Sequence, residues 1–310
     1  MTVAGSRVSG WGTALPDKTV TNADLEATLD TTDQWIVERS GIRERHIGGS
    51  TAGLATSAGA EAIRRAGLQP DDIDLLVLCT STPDQQLPAT ASTVQHALGL
   101  TCGAFDINAA CSGFVYGYVV ADRLVTGGMG RVLLIGSEVM SRTIDWDDRT
   151  TAVLFGDGAA AVVLEPTTDA PGVLGYDLGS DGSLRHILET DHGGYLQMEG
   201  KEVFRRAVRV VIDSCNAAMR NAGVTASDIA LFVPHQANVR IIESANAKLG
   251  LSMDRTAMVL DRIGNTSAAS VPFALADAVD SGRVAPGDLV LVSGFGAGMT
   301  WASAVLRWHG

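Results

Sequence analysis

The sequence predicts a layered α/β fold built from two similar halves. Apolar β-like runs alternate with Ala-rich stretches of helical spacing along the whole chain. No low-complexity linker interrupts that alternation. Two segments of the first half also recur, in order, in the second. AGLQPDDIDLLVL (66–78) is echoed by AGVTASDIALFVP (222–234), and FGDGAAAVVL (155–164) by FGAGMTWASAVL (295–306). The second member of each half closes it, which puts the expected boundary between 1–166 and 167–310. Chance similarity between two amphipathic helix–strand units is the alternative. A duplicated core would place an active site between its halves.

The elements follow from local pattern. Strands are expected at LLVLCT (75–80), the apolar run 103–107, RVLLIGS (131–137), AAVVLE (160–165), LFVP (231–234) and LVLVSGF (289–295). Helices are expected over 51–66, 112–126, 201–222 and 238–249. Gly67, Gly223 and Gly250 each sit just past the end of one, where a left-handed residue closes the last turn. FGDGAA (155–160) reads as a tight turn with close packing, because no GxGxxG opens a helix there.

Composition narrows the function classes. The 310 residues, 46% hydrophobic and 19% charged, can bury a large core and are not those of a disordered chain. A net charge of −12 and 5% aromatics argue against a nucleic-acid partner. Four scattered cysteines (Cys79, Cys102, Cys111, Cys215) are too few for a disulfide framework or a zinc cluster. MTVAGSRVSGWG carries no long apolar segment, and no run approaches a membrane span, so a cytoplasmic, reducing setting without a membrane partner is expected.

The chemistry concentrates at NAACSGF (108–114). Apolar residues recur at helical spacing from Phe114 to Val125, so Cys111 falls where a strand turns into the first turn of a buried helix. Unpaired N–H groups there favour negative charge, predicting a lowered thiol pKa and a nucleophilic thiolate. A small core residue is the plain alternative. PHQAN (234–238) brings His235 to the end of a strand, as a further polar group or as a capped structural residue. GNTSAASVP (264–272) places Asn265 in a Gly-Asn loop entering a small-residue helix, or in an ordinary turn. GFGAG (294–298) allows close backbone approach and amide donors for an oxyanion.

Together with TNADLE (21–26), DQWIVERSGIRERHI (33–47), DRTTAVLFGDGAAAVVL (148–164), VPHQANVRII (233–242), DRIGNTSAASVP (261–272) and GFGAGMTWASAVLRW (294–308), these motifs make the chain resemble the β-ketoacyl-acyl-carrier-protein synthase III family of the thiolase superfamily. The resemblance runs from about residue 5 to residue 308. It implies a thiolase-like five-layered αβαβα fold, usually as a homodimer. It also implies transfer of an acyl group from acyl-CoA to Cys111, followed by condensation with malonyl-acyl-carrier protein and loss of CO2. No cofactor or metal is implied.

Residue by residue, the resemblance implies Cys111 as nucleophile, His235 and Asn265 as donors to the enolate oxygen, and the amides of Cys111 and Ala297 as an oxyanion hole. Trp35 and Arg39 would hold the adenine with Arg149, while Gly200, Phe204, Ala237 and Asn238 would line the pantetheine arm. Arg240 would stand at the mouth. Leu87 occupies a position where many relatives place a phenylalanine that reaches the partner's acyl pocket, and Met140 falls near that pocket. Smaller side chains there would admit longer starters.

On its own physics, a stripe of Lys201, Arg205 and Arg209, with Arg206 beside it and Lys248 as a weaker member, would suit an acidic carrier protein. A solvated helix face is the alternative. The segment between SDGS (180–183) and MEG (198–200) is shorter than the family's and carries His186 and His192, an expected opening of the channel mouth and a poor metal site. Within the superfamily, a related acyltransferase, a specialised polyketide priming enzyme or a hydroxymethylglutaryl-CoA-synthase-like enzyme is the other reading, although no motif places the glutamate base that the last requires. More distant readings are a papain-like cysteine hydrolase and a non-catalytic carrier-binding module. Neither explains the whole motif set.

Overall fold

The computed structural model describes residues 4–310; the first three residues of the amino-terminal MTVAGSRVSGWG lie outside the described residues. Two sheets are sandwiched among three helical layers. The first sheet joins β1 (Gly5–Ala14), β2 (Leu75–Cys79), β3 (Gly103–Ile107), β4 (Val132–Val139) and β5 (Asp157–Thr167) in the order β1-β5-β4-β2-β3. The second joins β6 (Val173–Ser180), β7 (Ile229–Pro234), β8 (Leu289–Gly296) and β9 (Thr300–Arg307) in the order β7-β8-β9-β6.

Strand directions repeat as well. In the first sheet β3, β2 and β4 are mutually parallel and β5 and β1 follow antiparallel. In the second, β7 and β8 are parallel and β9 and β6 follow antiparallel. A single parallel bridge from Phe232 to Thr256 stands where the first sheet has β3. The sequence echoes thus mark equivalent strands.

The helices include α1 (Asp33–Ser40), α2 (Thr51–Arg65), α3 (Thr90–Ala97), α4 (Gly113–Leu124), α5 (Gly200–Ala222), α6 (Val239–Leu249) and α7 (Ser270–Asp280). Helix α2 covers the outer face of the first sheet and α5 that of the second, while α4 and α7 lie between the sheets and touch both. This is the five-layered thiolase-like arrangement. Gly67, Gly223 and Gly250 adopt φ of 70°, 69° and 73°, the left-handed closures expected of them.

Period-two alternation divides the core. On β2, Val77 and Cys79 point into the central layer with Phe114, Val115 and Tyr118, whereas Leu76 and Leu78 face α2. On β8, Val290 and Val292 face the centre and Leu291 faces α5. Helix α2 meets the sheet through Ala55, Ala58 and Ala62, and β1 answers with glycines.

Several sequence expectations change. FGDGAA is not an isolated turn: from Asp157 it is already β5. Its packing role stands, since a Cβ on Gly156 would lie 2.3 Å from the Ile263 carbonyl oxygen. Strands β1, β6 and β9 and helices α1 and α3 lacked a clear apolar period. A Cβ on Gly12 would lie 2.3 Å from the Ala58 carbonyl oxygen. Gly12→Ala should therefore separate β1 from α2 and cost about 1–3 kcal/mol in urea unfolding, without altering the pH dependence of catalysis.

Candidate active site

The end of β3 leads through Asn108 and Ala109 into a tight turn, Ala110–Ser112, and then into α4. Ala110 has φ of +47°, and Cys111 at the turn's centre is 9% exposed. Glycines make room for this turn against β8. A Cβ on Gly296 would lie 2.5 Å from the Cys111 nitrogen, and one on Gly294 3.1 Å from the Cys111 carbonyl oxygen. The hydroxyl of Thr300 donates to the Ala109 and Ala297 carbonyls at 2.9 and 3.1 Å, tying the turn to the loop that carries Ala297.

His235 follows the last residue of β7, and its backbone N–H donates to the Ser293 carbonyl on β8 at 2.7 Å. The ring is buried and meets Phe295 edge-on, with centroids 5.4 Å apart. Nδ1 lies 2.6 Å from the Ser270 hydroxyl, which also accepts the Gln236 N–H at 3.3 Å. When the Ser270 hydroxyl donates to Nδ1, the imidazole hydrogen sits on Nε2, facing away from Ser270. The next residue, Gln236, is fully buried and clamps this end of β7. Its amide donates to the Pro234 and Ala257 carbonyls, and its oxygen accepts from Val259 and Leu260.

Asn265 sits on the loop before α7. Its backbone pairs with Leu154 and Gly156, and its Oδ1 accepts the Ser267 N–H at 2.9 Å. With the oxygen engaged, the side-chain NH2 is the free donor end.

Burial controls the ionisation of both reactive groups. It pulls the His235 pKa down to about 3, so the ring is neutral at ordinary pH. It pushes the Cys111 thiol up to about 12, opposed by the neighbouring Ser267 hydroxyl and the Cys111 amide and reinforced by the nearby Glu138 charge. The lowered thiol pKa expected from the helix start is therefore overturned. Desolvation of the sulfur exceeds the helix-terminus effect, and the resting nucleophile is a neutral thiol.

Cys111, His235, Asn265 and Ala297 line one cavity of 1430 Å³. Trp35, Arg39, Met140, Gly200, Lys201, Phe204, Ala237, Asn238 and Arg240 line it too, so most of the residues proposed from sequence converge. Asn238 caps α6 and donates to the Arg39 carbonyl at 2.7 Å, joining the two sides of the mouth. The Arg39 and Arg149 guanidinium carbons lie 4.4 and 5.4 Å from the Trp35 ring centroid, and Arg240 stacks 5.6 Å from Phe204. Arg149 is outside the lining and pairs with Asp30 at 3.2 Å.

Other expected residues stand apart. Leu87 is 84% exposed and outside the cavity of its own chain. Arg205, Arg209 and Lys248 do not line it. The basic stripe is also less positive than its spacing implied: Arg205 and Arg206 each reach Glu202 at 2.7 Å, and Arg209 lies 3.7 Å from Asp213. The short 184–197 segment forms part of the cavity wall. It folds back as a two-stranded hairpin, Leu188–Glu189 against Gln197–Met198, and His192, Gly193, Gly194 and Leu196 line the cavity. No group of three metal-ligating side chains is assembled among the described residues, and no helix among them is long and apolar enough to cross a membrane.

Sequence reasoning passed over Ser267, Ser270 and Glu138. The two serines lie three residues apart inside GNTSAASVP, and Glu138 is the lone carboxylate of an apolar strand. That isolation was the available signal, because a buried acid requires partners.

Two outcomes follow from this geometry. Gly296→Ala should displace the Cys111 amide and slow Cys111 acylation about tenfold or more, read as adduct formation by a protein whose far-UV circular dichroism is unchanged. The depressed His235 pKa means the unfolded chain binds the extra proton between about pH 6.5 and pH 3. Stability from this group is thus complete above pH 6.5 and lost as pH falls. On going from pH 7 to pH 5, the parent should lose about 2 kcal/mol more than His235→Gln in urea titrations.

The chain is similar to known proteins over nearly its whole length. Family models for 3-oxoacyl-[acyl-carrier-protein] synthase III match residues 105–182, and for its C-terminal part residues 219–308. The β-ketoacyl-[acyl-carrier-protein] synthase III of Brucella anthropi is 50% identical, covering 98% of this chain and 99% of the relative. The crystal structure of 3-oxoacyl-[acyl-carrier-protein] synthase III from Aquifex aeolicus superposes with a TM-score of 0.96 at 43% identity, covering 98% of this chain and 100% of that one. The priming β-ketosynthase of a polyketide biosynthetic pathway superposes with a TM-score of 0.94 at 36% identity, covering 99% and 97%. With identity and fold shared over nearly its whole length, the chain belongs to the 3-oxoacyl-[acyl-carrier-protein] synthase III family.

Proposed function

We propose that the protein condenses an acyl-CoA starter with malonyl-[acyl-carrier protein], giving 3-oxoacyl-[acyl-carrier protein], CoA and CO2, and so initiates fatty-acid synthesis. The observation that carries this is the convergence of Cys111, the neutral His235 and Asn265 in one cavity whose outer part is aromatic and basic.

In the first half-reaction the Cys111 sulfur takes the acyl group, with oxyanion charge received by the amides of Cys111 and Ala297. In the second, loss of CO2 leaves an enolate on the malonyl thioester. Nε2–H of His235 and the Asn265 NH2 donate to its oxygen, and the carbanion attacks the acyl-Cys111 carbonyl. A neutral imidazole suits this role because it donates without bringing a charge into a buried site.

The outer cavity serves the pantetheine carriers: Trp35, Arg39 and Arg149 toward the nucleotide, Gly200, Phe204, Ala237 and Asn238 along the arm. Arg240 and Lys201 would meet the carrier protein at the mouth, with Arg205, Arg209 and Lys248 as outlying contacts. Met140, and Leu87 from a partner subunit, would shape the acyl end. A homodimer is part of this reading, supported by the free edge of the first sheet at β3, where Phe105 is 37% exposed. The division at 166/167 is supported by the repeated strand order. A cytoplasmic setting without a cofactor completes the proposal.

Intact-protein mass spectrometry with a panel of acyl-CoAs tests it. The parent should gain one acyl mass and Cys111→Ala none, and the preferred mass identifies the starter. Absence of an adduct from every acyl-CoA would reject the acyl-CoA-primed condensation.

A further inference from the structure

The two side chains proposed as enolate donors are both tied to one short segment of the second half. Asn265 begins that segment, and Ser270 ends it with a hydroxyl 2.6 Å from Nδ1 of His235. Cys111 belongs to the first half. The segment must therefore be held in place against a residue far away in the chain.

Strand β4 of the first half reaches it. Odd and even positions of β4 point to opposite faces, and Leu134, Gly136 and Glu138 share the face that looks into the central layer. A Cβ on Gly136 would lie 2.6 Å from the Ala268 carbonyl oxygen, so backbone meets backbone there. Two residues on, Glu138 is fully buried. No Lys, Arg or His among the described residues forms an ion pair with it.

Hydroxyls and amides from two segments hold the carboxylate instead. The 80–82 segment after β2 gives the hydroxyls of Thr80 (3.1 Å), Ser81 (2.9 Å) and Thr82 (2.5 Å), with the amides of Ser81 and Thr82. The second half gives the Ser267 hydroxyl at 2.9 Å and the Ala268 amide at 3.5 Å. Burial raises the Glu138 pKa, and the bonds from Thr82, Ser81 and Ser267 oppose that rise. Glu138 lies outside the cavity lining, so its bonding is spent on the two loops and not on a substrate.

Ser267 carries the tie onward. Its N–H donates to Asn265 Oδ1 at 2.9 Å, which leaves the Asn265 NH2 as the end free to donate. Its backbone has φ of +49°, where glycine would be the least strained residue. A serine there accepts strain and supplies a hydroxyl, and the partner of that hydroxyl is Glu138.

We propose that Glu138 is a positioning residue for decarboxylation. Through Ser267 it anchors the loop of the second half to the first half, and so fixes the Asn265 NH2 relative to the acyl group on Cys111. This rests on the proposed role of Asn265 as an enolate donor. Such a donor acts only where the oxygen charge develops, so a loop displaced by a fraction of an ångström weakens it. Acylation of Cys111 draws on other donors and depends less on this tie.

The test compares two rates. One is acylation by the acyl-CoA that loads the parent best; the other is CO2 release from malonyl-[acyl-carrier protein] by protein already acylated. The variants are Ser267→Ala, Ser267→Gly, Glu138→Ala, Asn265→Ala and the double variant Ser267→Gly/Asn265→Ala, with folding checked by near-UV circular dichroism and urea titration. Both Ser267 variants lack the hydroxyl, but glycine relieves the left-handed strain, so Ser267→Gly should be the more stable of the two. Both should nevertheless slow CO2 release at least about tenfold more than acylation. Glu138→Ala should do the same; if it does not fold, the two Ser267 variants decide. Once Asn265 is alanine, adding Ser267→Gly should change CO2 release less than about twofold, because the group being positioned is gone. Parental CO2 release by Ser267→Gly, equal slowing of both steps, or an undiminished effect of Ser267→Gly in the Asn265→Ala background would overturn the proposal. Parental CO2 release by Asn265→Ala would instead reject Asn265 as an enolate donor.

Discussion

The site depends on a contact between backbones. The Ala110–Ser112 turn is wedged between the end of β8 and the Ser267–Ala269 turn before α7. Gly294 and Gly296 on one side supply the clearance, as does Gly136 beneath, where a Cβ would lie 2.6 Å from the Ala268 carbonyl oxygen. Side chains at these three positions would push the turns apart. The same contact holds Ala110 and Ser267 in left-handed conformations that cost non-glycine residues about 1–3 kcal/mol each. The fold meets that cost because the turns belong to the central layer, where α4 and α7 are packed by both sheets.

Electrostatics follows from that depth. The inner cavity holds polar groups without net charge: a thiol, a neutral imidazole and a carboxamide, each oriented by hydroxyls or backbone amides rather than by ions. The Ser270 hydroxyl bonds the histidine ring and the Ser267 N–H bonds the asparagine side chain. Charged groups gather at the mouth, in Arg39, Lys201 and Arg240, where water still screens them. Such a gradient suits the proposed reading, with an anionic carrier outside and developing negative charge met by the neutral donors within.

Much of this was legible in the residues. The duplicated echoes marked equivalent strands, and the small-residue motifs around Cys111, His235 and Asn265 marked the convergence point. Strands β1 and β6 were not legible, because GSRVSGWGTA and VLGYDLGS mix glycine and polar residues with their apolar ones. The thiol pKa was misjudged for a physical reason: helix position is visible in a sequence, but desolvation depends on what packs over the sulfur. The stripe on α5 was overestimated because only its cations were counted. Glu202 and Asp213 lie at the i,i+3 and i,i+4 spacings that pair with them.

In the proposed reaction, two neutral donors in one buried pocket stabilise an enolate. Release of CO2 from a malonyl thioester by protein already acylated on Cys111 tests it most directly. The account predicts stoichiometric CO2 from the parent. His235→Ala and Asn265→Ala should each accept the acyl group yet release CO2 at least about a hundredfold more slowly. Parental CO2 release by both variants, or loss of acylation and decarboxylation in equal measure, would contradict it.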